Sequence, residues 1–545
     1  MIDEAIEAAR SRAFWSPFSE IPSRRIYGDS APDDGEAAFL KLLNRPFEID
    51  QPTTGEMVGD ENALYGTPLG IQYPAPDIDG IITASQTAGT AWANVPFKER
   101  IGILVEALVR LNHRSFEIGH AVMHTTGQAF AMAFQAGGPH AQDRGLEAVI
   151  YAHEELSRIP APITWEKPQG KRPPQIVHKA FHARPKGIAL VIGCNTFPTW
   201  NSYPGLFASL ATGNSVIVKP HPRAILPLAI TVEVLREVLA EAAIDPNVVT
   251  LAVDTTDSPI TETLVSHPAI GIIDFTGSSA FGNRIEQEAC RGVRTYTEKS
   301  GVNNILIDSS DDVKGMANNL ALSLSLYSGQ MCTTPQNIFI PEGGIQTDQG
   351  HITFDDAVRQ ITEAVSTLLA DDQRAMGILG AIVNADVRKR VEDSQNDPGV
   401  ALMARPIVNP ATGKICSYTP TCCVLEASDT AVYGQEQFGP LFYIIRTRDT
   451  DHALELIEKL VREKGAMTFG AYSTDEAILR KTEATALQGG VSLSCNLTSS
   501  LMVNQAAAFS DFHGTGANPA ANASLTDAAF IAGRFNIVEI RHDNS

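Results

Sequence analysis

Between Gly187 and Ile340 short apolar runs alternate with stretches of helical periodicity, and few architectures accept that alternation. Ile188–Ile192 is an apolar run stopped by Gly193, and Ser215–Val218, Val248–Val253 and Ile270–Phe275 repeat the pattern. Pro227 opens a helix on which Leu228, Val232, Leu235 and Leu239 share a face. Pro is favoured at a first helical position, where its missing N–H has no partner to lose. Strands that are apolar throughout need cover on both faces, the condition of a parallel sheet with helices above and below. A second half follows, with strands at Asn304–Ile307 and Asn337–Ile340 and helices at Val313–Leu326 and Phe354–Leu369. After Ala401 the pattern predicts loop-rich segments and strands, ending in the Gly- and Asn-rich stretch Phe512–Asn518. The expected class is α/β.

Upstream the signals are weaker. Residues 1–90 are rich in Pro and Gly, with a short helix expected at Glu36–Leu43, and read as an arm on the main body. Ile101, Leu104, Leu108 and Leu111 then fall on one helical face, and helical spacing continues to about Leu156. Pro160–Pro174 reads as a break, and Gln175–His178 as the start of a two-stranded excursion.

Composition removes several functions. A net charge of -21 is the wrong sign for holding phosphate backbones, so no nucleic-acid partner is expected. No apolar run approaches the length of a membrane span. The seven Cys residues form no C-x-x-C pair, and their odd number suits a reducing compartment rather than a disulfide framework. Met1–Glu4 lacks the basic-then-apolar pattern of a signal peptide, so a cytoplasmic protein is expected, with no metal site.

Two stretches carry chemistry. Cys332 follows Gly329-Gln330 and precedes the apolar run Asn337–Ile340. A lone Cys is most often a buried, inert residue, and serves as a nucleophile only where something keeps it partly ionised. Strand Ile270–Phe275 runs into Thr276-Gly277-Ser278-Ser279, a turn whose backbone N–H groups could approach a pyrophosphate at a helix start. An ordinary strand-to-helix turn has the same sequence.

In order, Asn195 after a strand, Gly213–Pro220, Phe275–Ser279, Glu298, the Gly-Gln-x-Cys at Cys332 and Glu436–Pro440 resemble the aldehyde dehydrogenase superfamily over roughly residues 98–500. The resemblance implies a Rossmann-type cofactor domain, an α/β catalytic domain and a small β bridging element. The implied divisions are an arm at 1–90, the cofactor domain at 91–159 and 183–297, the catalytic domain at 298–500, and the bridge at 160–182 and 501–545. It implies that Cys332 attacks an aldehyde, that Asn195 and the Cys332 N–H hold the oxyanion, and that Glu298 activates water to release an acid. It also implies Lys219 on the adenosine ribose, Gly277 and Ser278 at the pyrophosphate, and Glu436 and Phe438 at the nicotinamide side. A homodimer or dimer of dimers would follow.

The departures are informative. The acid common three residues after the ribose Lys is absent, and the chain reads Lys219-Pro220-His221-Pro222-Arg223, which favours NADP over NAD. Cys194 stands where a Trp is usual, and Lys299–Asn303 replaces a Gly-Gly-Lys run. Cys194–Trp200 and the ending at Asp511–Pro519 resemble the PaaN-type dehydrogenases, implying a coenzyme A-linked semialdehyde of phenylacetate breakdown, with the benzoyl-coenzyme A pathway as the neighbouring alternative. A non-redox thioester or ester hydrolase and a non-catalytic scaffold on the same fold are the rival readings. A requirement for stoichiometric cofactor would separate a dehydrogenase from a hydrolase.

Overall fold

The computed structural model describes residues 1–543 except 60, 62, 63, 65–68, 411, 412, 499 and 503–505. A five-stranded sheet runs Val249–Leu251, Ser215–Lys219, Ile188–Ile192, Ile270–Thr276, Arg294–Glu298, with every neighbouring pair parallel. Ile188–Ile192 and Ser215–Lys219 are buried along their whole length, as apolar strands inside such a sheet must be. Ala189 and Val191 enter one core while Ile188, Leu190 and Ile192 enter the other, the two-residue period of a strand. The α/β class expected from the sequence is the one observed.

The second sheet has seven strands in the order Val400–Leu402, Thr421–Glu426, Leu441–Thr447, Asn337–Pro341, Asn304–Ile307, Thr468–Tyr472, Ser492–Cys495. Only the Val400–Leu402 pairing is antiparallel. Ile305 and Ile307 face the core formed with helices Val313–Ser325 and Phe354–Leu368, while Leu306 faces the opposite one. A third, antiparallel sheet joins Phe535–His542, Arg172–Pro185 and Ile163–Gln169. Among the described residues no helix is long and apolar enough to cross a membrane.

Several expectations need correction. The Pro160–Pro174 stretch is not a break. Strand Ile163–Gln169 runs through Pro168, which an edge strand accepts because nothing needs its missing N–H, and Gln175–His178 lies inside the second strand. That strand continues to Pro185, and of the tail only Phe535–His542 joins it, so the bridge spans neither 160–182 alone nor all of 501–545. Helix Ile78–Asn94 begins ahead of residue 91 and packs Ile81 and Ile82 against the five-stranded sheet. The arm holds helices Ile2–Ser11 and Ala31–Leu42, whose Ala5, Ala8 and Phe39 belong to the core shared with helix Leu226–Glu241. The region after Ala401 contains two helices that were read as loop or strand, Thr450–Lys464 and Glu476–Gly489. In the first, frequent charges mask the helical spacing of Leu454, Ile457, Leu460 and Val461, while Asp449 caps its start.

Candidate active site

Helix Val313–Ser325 delivers the chain into a turn in which Tyr327, Ser328 and Gly329 all take positive φ (52°, 54° and 68°). Such a backbone costs about 1–3 kcal/mol at each non-Gly residue and persists only where its surroundings fix it. Here Tyr327 Oη donates to Thr126 O at 2.5 Å, Ser328 Oγ donates to Gly380 O at 3.0 Å, and Gln330 Nε2 donates to Ala381 O at 2.9 Å. A Cβ on Gly329 would lie 2.4 Å from the carbonyl oxygen of Gly439, so the Gly of Gly-Gln-x-Cys is a packing requirement. Beyond it, Asn303 Nδ2 donates to Cys332 O at 2.7 Å and to Thr334 O at 2.9 Å, while its Oδ1 accepts from Met467 and Thr468 N–H groups. The Cys332 loop is thereby pinned on both sides.

Glu298 ends the edge strand of the five-stranded sheet, and its side chain is 2% exposed. Burying a carboxylate is unfavourable unless hydrogen bonds replace water. Oε2 accepts from Asn201 Nδ2 at 3.0 Å and meets His513 Nε2 at 3.1 Å, whereas Oε1 takes no hydrogen bond among the described residues. Burial pushes the carboxyl upward, but His513, the nearby Cys332 thiol and Asn201 together favour the anion more, and the net displacement is downward. Asn201 Oδ1 in turn accepts from Cys194 Sγ at 3.6 Å, a thiol that burial pushes up to about 11.

Cys332 Sγ lies 3.9 Å from His513 Nε2, against an apolar patch of Met467, Ala520 and Ala521. The side-chain ligand atoms of Glu298, Cys332 and His513 all fall within 4.8 Å of one another. The condition set for a nucleophilic thiol, that something keep it partly ionised, is not met by the surroundings of Cys332 alone. Burial, and then the charges of Glu298, Cys194 and Glu436, push the Cys332 thiol well above the ordinary cysteine range. The site therefore needs a base for this proton. Asn195 occupies the loop between strand Ile188–Ile192 and helix Pro198–Ala211, partly buried, with Oδ1 taking no hydrogen bond among the described residues.

The cofactor-side residues are more spread out. Gly277 and Ser278 form an exposed turn, and Ser278 Oγ accepts from Phe281 N–H to cap helix Ser279–Glu286. A Cβ on Gly277 would strike the Phe275 ring at 2.7 Å. Lys219 is buried, with Nζ bound to Asp254 Oδ1 at 2.5 Å and Pro220 O at 3.0 Å; one of its three N–H bonds is left for a ligand. His221 is pushed down to about 4 by burial and by Lys219 and Arg223, so it is neutral at pH 7, while Arg223 is exposed. Glu436 Oε1 accepts from Gly301 N–H at 3.2 Å, and burial raises its carboxyl. Glu436 and the half-buried Phe438 (φ 48°) line one narrow pocket with Met331 and Asn303, beside the Cys332 loop. The exposed turn and the spare Lys219 donor fit a dinucleotide.

Five residues of these networks escaped the sequence reading: Asn201, Asn303, Asp254, His513 and Glu61. Glu61 Oε1 accepts from the N–H groups of Ile225 (2.6 Å) and Leu226 (2.8 Å) at the start of helix Leu226–Glu241, and Oε2 from Tyr73 Oη. Only His513 had a visible signal, its place in the Gly-rich Phe512–Asn518 run, where Gly514 and Gly516 both take φ of 71°. That run leads to Ala520–Asn522, which lie along Glu298: Lys299 N donates to Ala520 O at 2.6 Å and Asn522 N to Thr297 O at 3.1 Å.

Comparison with known proteins identifies the family and the fold. A family model described as "Aldehyde dehydrogenase family" matches residues 70–498. A crystal structure of an NAD-dependent aldehyde dehydrogenase from Burkholderia multivorans is 51% identical, covering 99% of this chain and 97% of that one at a TM-score of 0.97. An N-succinylglutamate 5-semialdehyde dehydrogenase of Burkholderia lata is 26% identical over 391 residues, 70% of this chain and 74% of that protein. The Thermus thermophilus 1-pyrroline-5-carboxylate dehydrogenase (R100A mutant) shares the fold at 19% identity and a TM-score of 0.74, covering 97% of this chain and 99% of that one.

Proposed function

The chain belongs to the aldehyde dehydrogenase family, and from that membership we propose that it oxidises an aldehyde to a free carboxylic acid through an acyl group carried on Cys332. Cys332 Sγ adds to the aldehyde carbon, and the Asn195 amide with the Cys332 backbone N–H meets the developing oxyanion; donors so placed are worth about 10²–10³ in rate. A bound NAD(P), held by Lys219 and the Gly277-Ser278 turn, would supply the hydride acceptor, and the acyl group would remain on Cys332 as a thioester. Glu298 then takes a proton from the water that releases the acid. The observation that carries the hydrolytic ending is Glu298 itself, buried, with one oxygen fixed by Asn201 and His513 and the other taking no hydrogen bond among the described residues.

Rapid-quench measurement on Glu298→Gln tests it. The expected result is one fast equivalent of reduced cofactor per site followed by a stall, with acyl-Cys332 found by mass spectrometry. Steady turnover at the parent rate would remove Glu298 from the mechanism.

For the cofactor, NAD ranks ahead of NADP, against the preference drawn from Arg223. Glu61 puts a carboxylate at the start of the helix that follows Lys219–Arg223, and the 51% identical Burkholderia multivorans protein carries NAD in its name. A higher kcat/KM with NAD is expected, together with a raised share of NADP use in Glu61→Gln. Equal or better turnover of the parent with NADP would restore the Arg223 reading.

For the aldehyde, the Cys194–Trp200 stretch supports a coenzyme A-linked semialdehyde of aromatic breakdown, whereas the relatives at 26–27% identity are named for N-succinylglutamate 5-semialdehyde. The phenylacetate assignment gains no support from those relatives. A side-by-side kcat/KM for the two semialdehydes decides between them.

A further inference from the structure

Within the reading of Asn195 and the Cys332 N–H as the oxyanion donors, we propose that Gln128 is a positioning residue that sets where one donor stands relative to the other. The two donors come from different halves of the molecule. Asn195 sits on the loop that follows strand Ile188–Ile192 of the five-stranded sheet, whereas Cys332 follows helix Val313–Ser325, which packs on the seven-stranded one. An oxyanion gains only from donors that lie within hydrogen-bond reach of a single point, so the two loops must be held in register.

The connection is the turn Thr126–Gln128. Helix Ser115–Thr126 stops at Gly127, whose left-handed backbone (φ 76°) is a common helix ending. On one side the turn grips the nucleophile loop. Thr126 O accepts from Tyr327 Oη at 2.5 Å, and Gly127 O accepts from Ala381 N–H at 2.7 Å, while Ala381 O accepts from Gln330 Nε2 at 2.9 Å. A Cβ on Gly127 would lie 2.7 Å from that of Ala381, so this side has no slack. On the other side Gln128 Nε2 donates to Thr196 O at 2.7 Å, the carbonyl one residue beyond Asn195. Gln128 is 0% exposed, so this bond is made away from solvent. Phe197 also meets Tyr327 edge to face, 5.5 Å between centroids, but a ring contact leaves the tilt of the neighbouring peptide free. The Gln128 amide fixes that tilt. Its Oε1 is buried and takes no hydrogen bond among the described residues, a cost that an apolar side chain in the same space would not carry. Packing alone gives no reason for an amide here; donation to Thr196 O does.

The test is stopped-flow measurement of the first hydride transfer in Gln128→Met, which keeps the side-chain length and removes the donor. The rate of that step is expected to fall by about tenfold or more, while NADH affinity and the half-saturating aldehyde concentration stay within about twofold. Alkylation of Cys332 by iodoacetamide is expected to stay within about twofold, followed by peptide mass spectrometry because six other thiols are present. That reaction displaces iodide at a saturated carbon and builds no oxyanion, so it reports the nucleophile alone. In the double variant with Asn195→Ala, Gln128→Met is expected to add less than about twofold, since it acts through Asn195. Gln128→Leu serves should the first variant fail to fold. An unchanged hydride-transfer rate in a folded variant overturns the proposal. An equal loss in alkylation, or additive losses in the double variant, overturns it too. Parent-like hydride transfer in Asn195→Ala alone is the separate failure of the oxyanion reading, and the proposal falls with it.

Discussion

At the scale of single residues, the site is a chain of polar groups running Cys194, Asn201, Glu298, His513, Cys332, with each contact drawn from a different part of the sequence. The lowered Glu298 carboxyl fixes the sign of one pH effect. A carboxyl lowered on folding contributes stability that is present above its unfolded value, about 4.3, and is lost as pH falls through the folded one. Glu298 therefore stays ionised through neutral and mildly acid pH. Single-turnover release of a preformed acyl-enzyme is expected to be flat from pH 8 down to about 5. A fall in that step between pH 7 and 6 would contradict the assignment. Cys332→Ala is expected to abolish turnover while NADH affinity changes less than twofold. Residual steady-state oxidation by that variant would sink the nucleophile.

At the scale of elements, the site depends on two segments that are neither helix nor strand. One is the positive-φ turn Tyr327–Gly329; the other is the run from His513 to Asn522 laid along the edge strand. Asn303 holds the first by donating to Cys332 O and Thr334 O, and Asn303→Ala leaves those carbonyls without that donor. A loss of about 1–3 kcal/mol is expected from chemical denaturation, with kcat reduced more than KM changes. A kcat within twofold of the parent would show that the loop keeps its geometry without Asn303. The first segment could be anticipated from Gly329-Gln330. The second could be noticed only as Gly-rich, because its partner strand is remote in sequence.

At the scale of the whole molecule, the three-stranded sheet exposes apolar side chains, among them Ile537 at 56% and Ile540 at 42%. The self-association that the family resemblance implies would use this sheet. Light scattering on Ile537→Asp/Ile540→Asp is expected to show a smaller particle than the parent. An unchanged mass would place the interface elsewhere.

The sequence by itself determined the α/β alternation and the apolar strands at Ile188–Ile192, Ser215–Lys219, Ile270–Thr276, Asn304–Ile307 and Asn337–Pro341, though not the edge strand Arg294–Glu298, and its motifs single out Cys332 and Glu298 as the expected chemical pair. Those are local or motif-level properties: an apolar strand announces itself by what its own neighbours are. Tertiary structure alone decided that Pro168 sits in an edge strand, that Lys219 meets Asp254, that Glu61 reaches helix Leu226–Glu241, and that His513 lies beside both Cys332 and Glu298. The physical reason is separation. His513 is 215 residues from Glu298 in sequence, and a hydrogen bond across that distance exists only once Ala520–Asn522 has paired with the edge of the sheet.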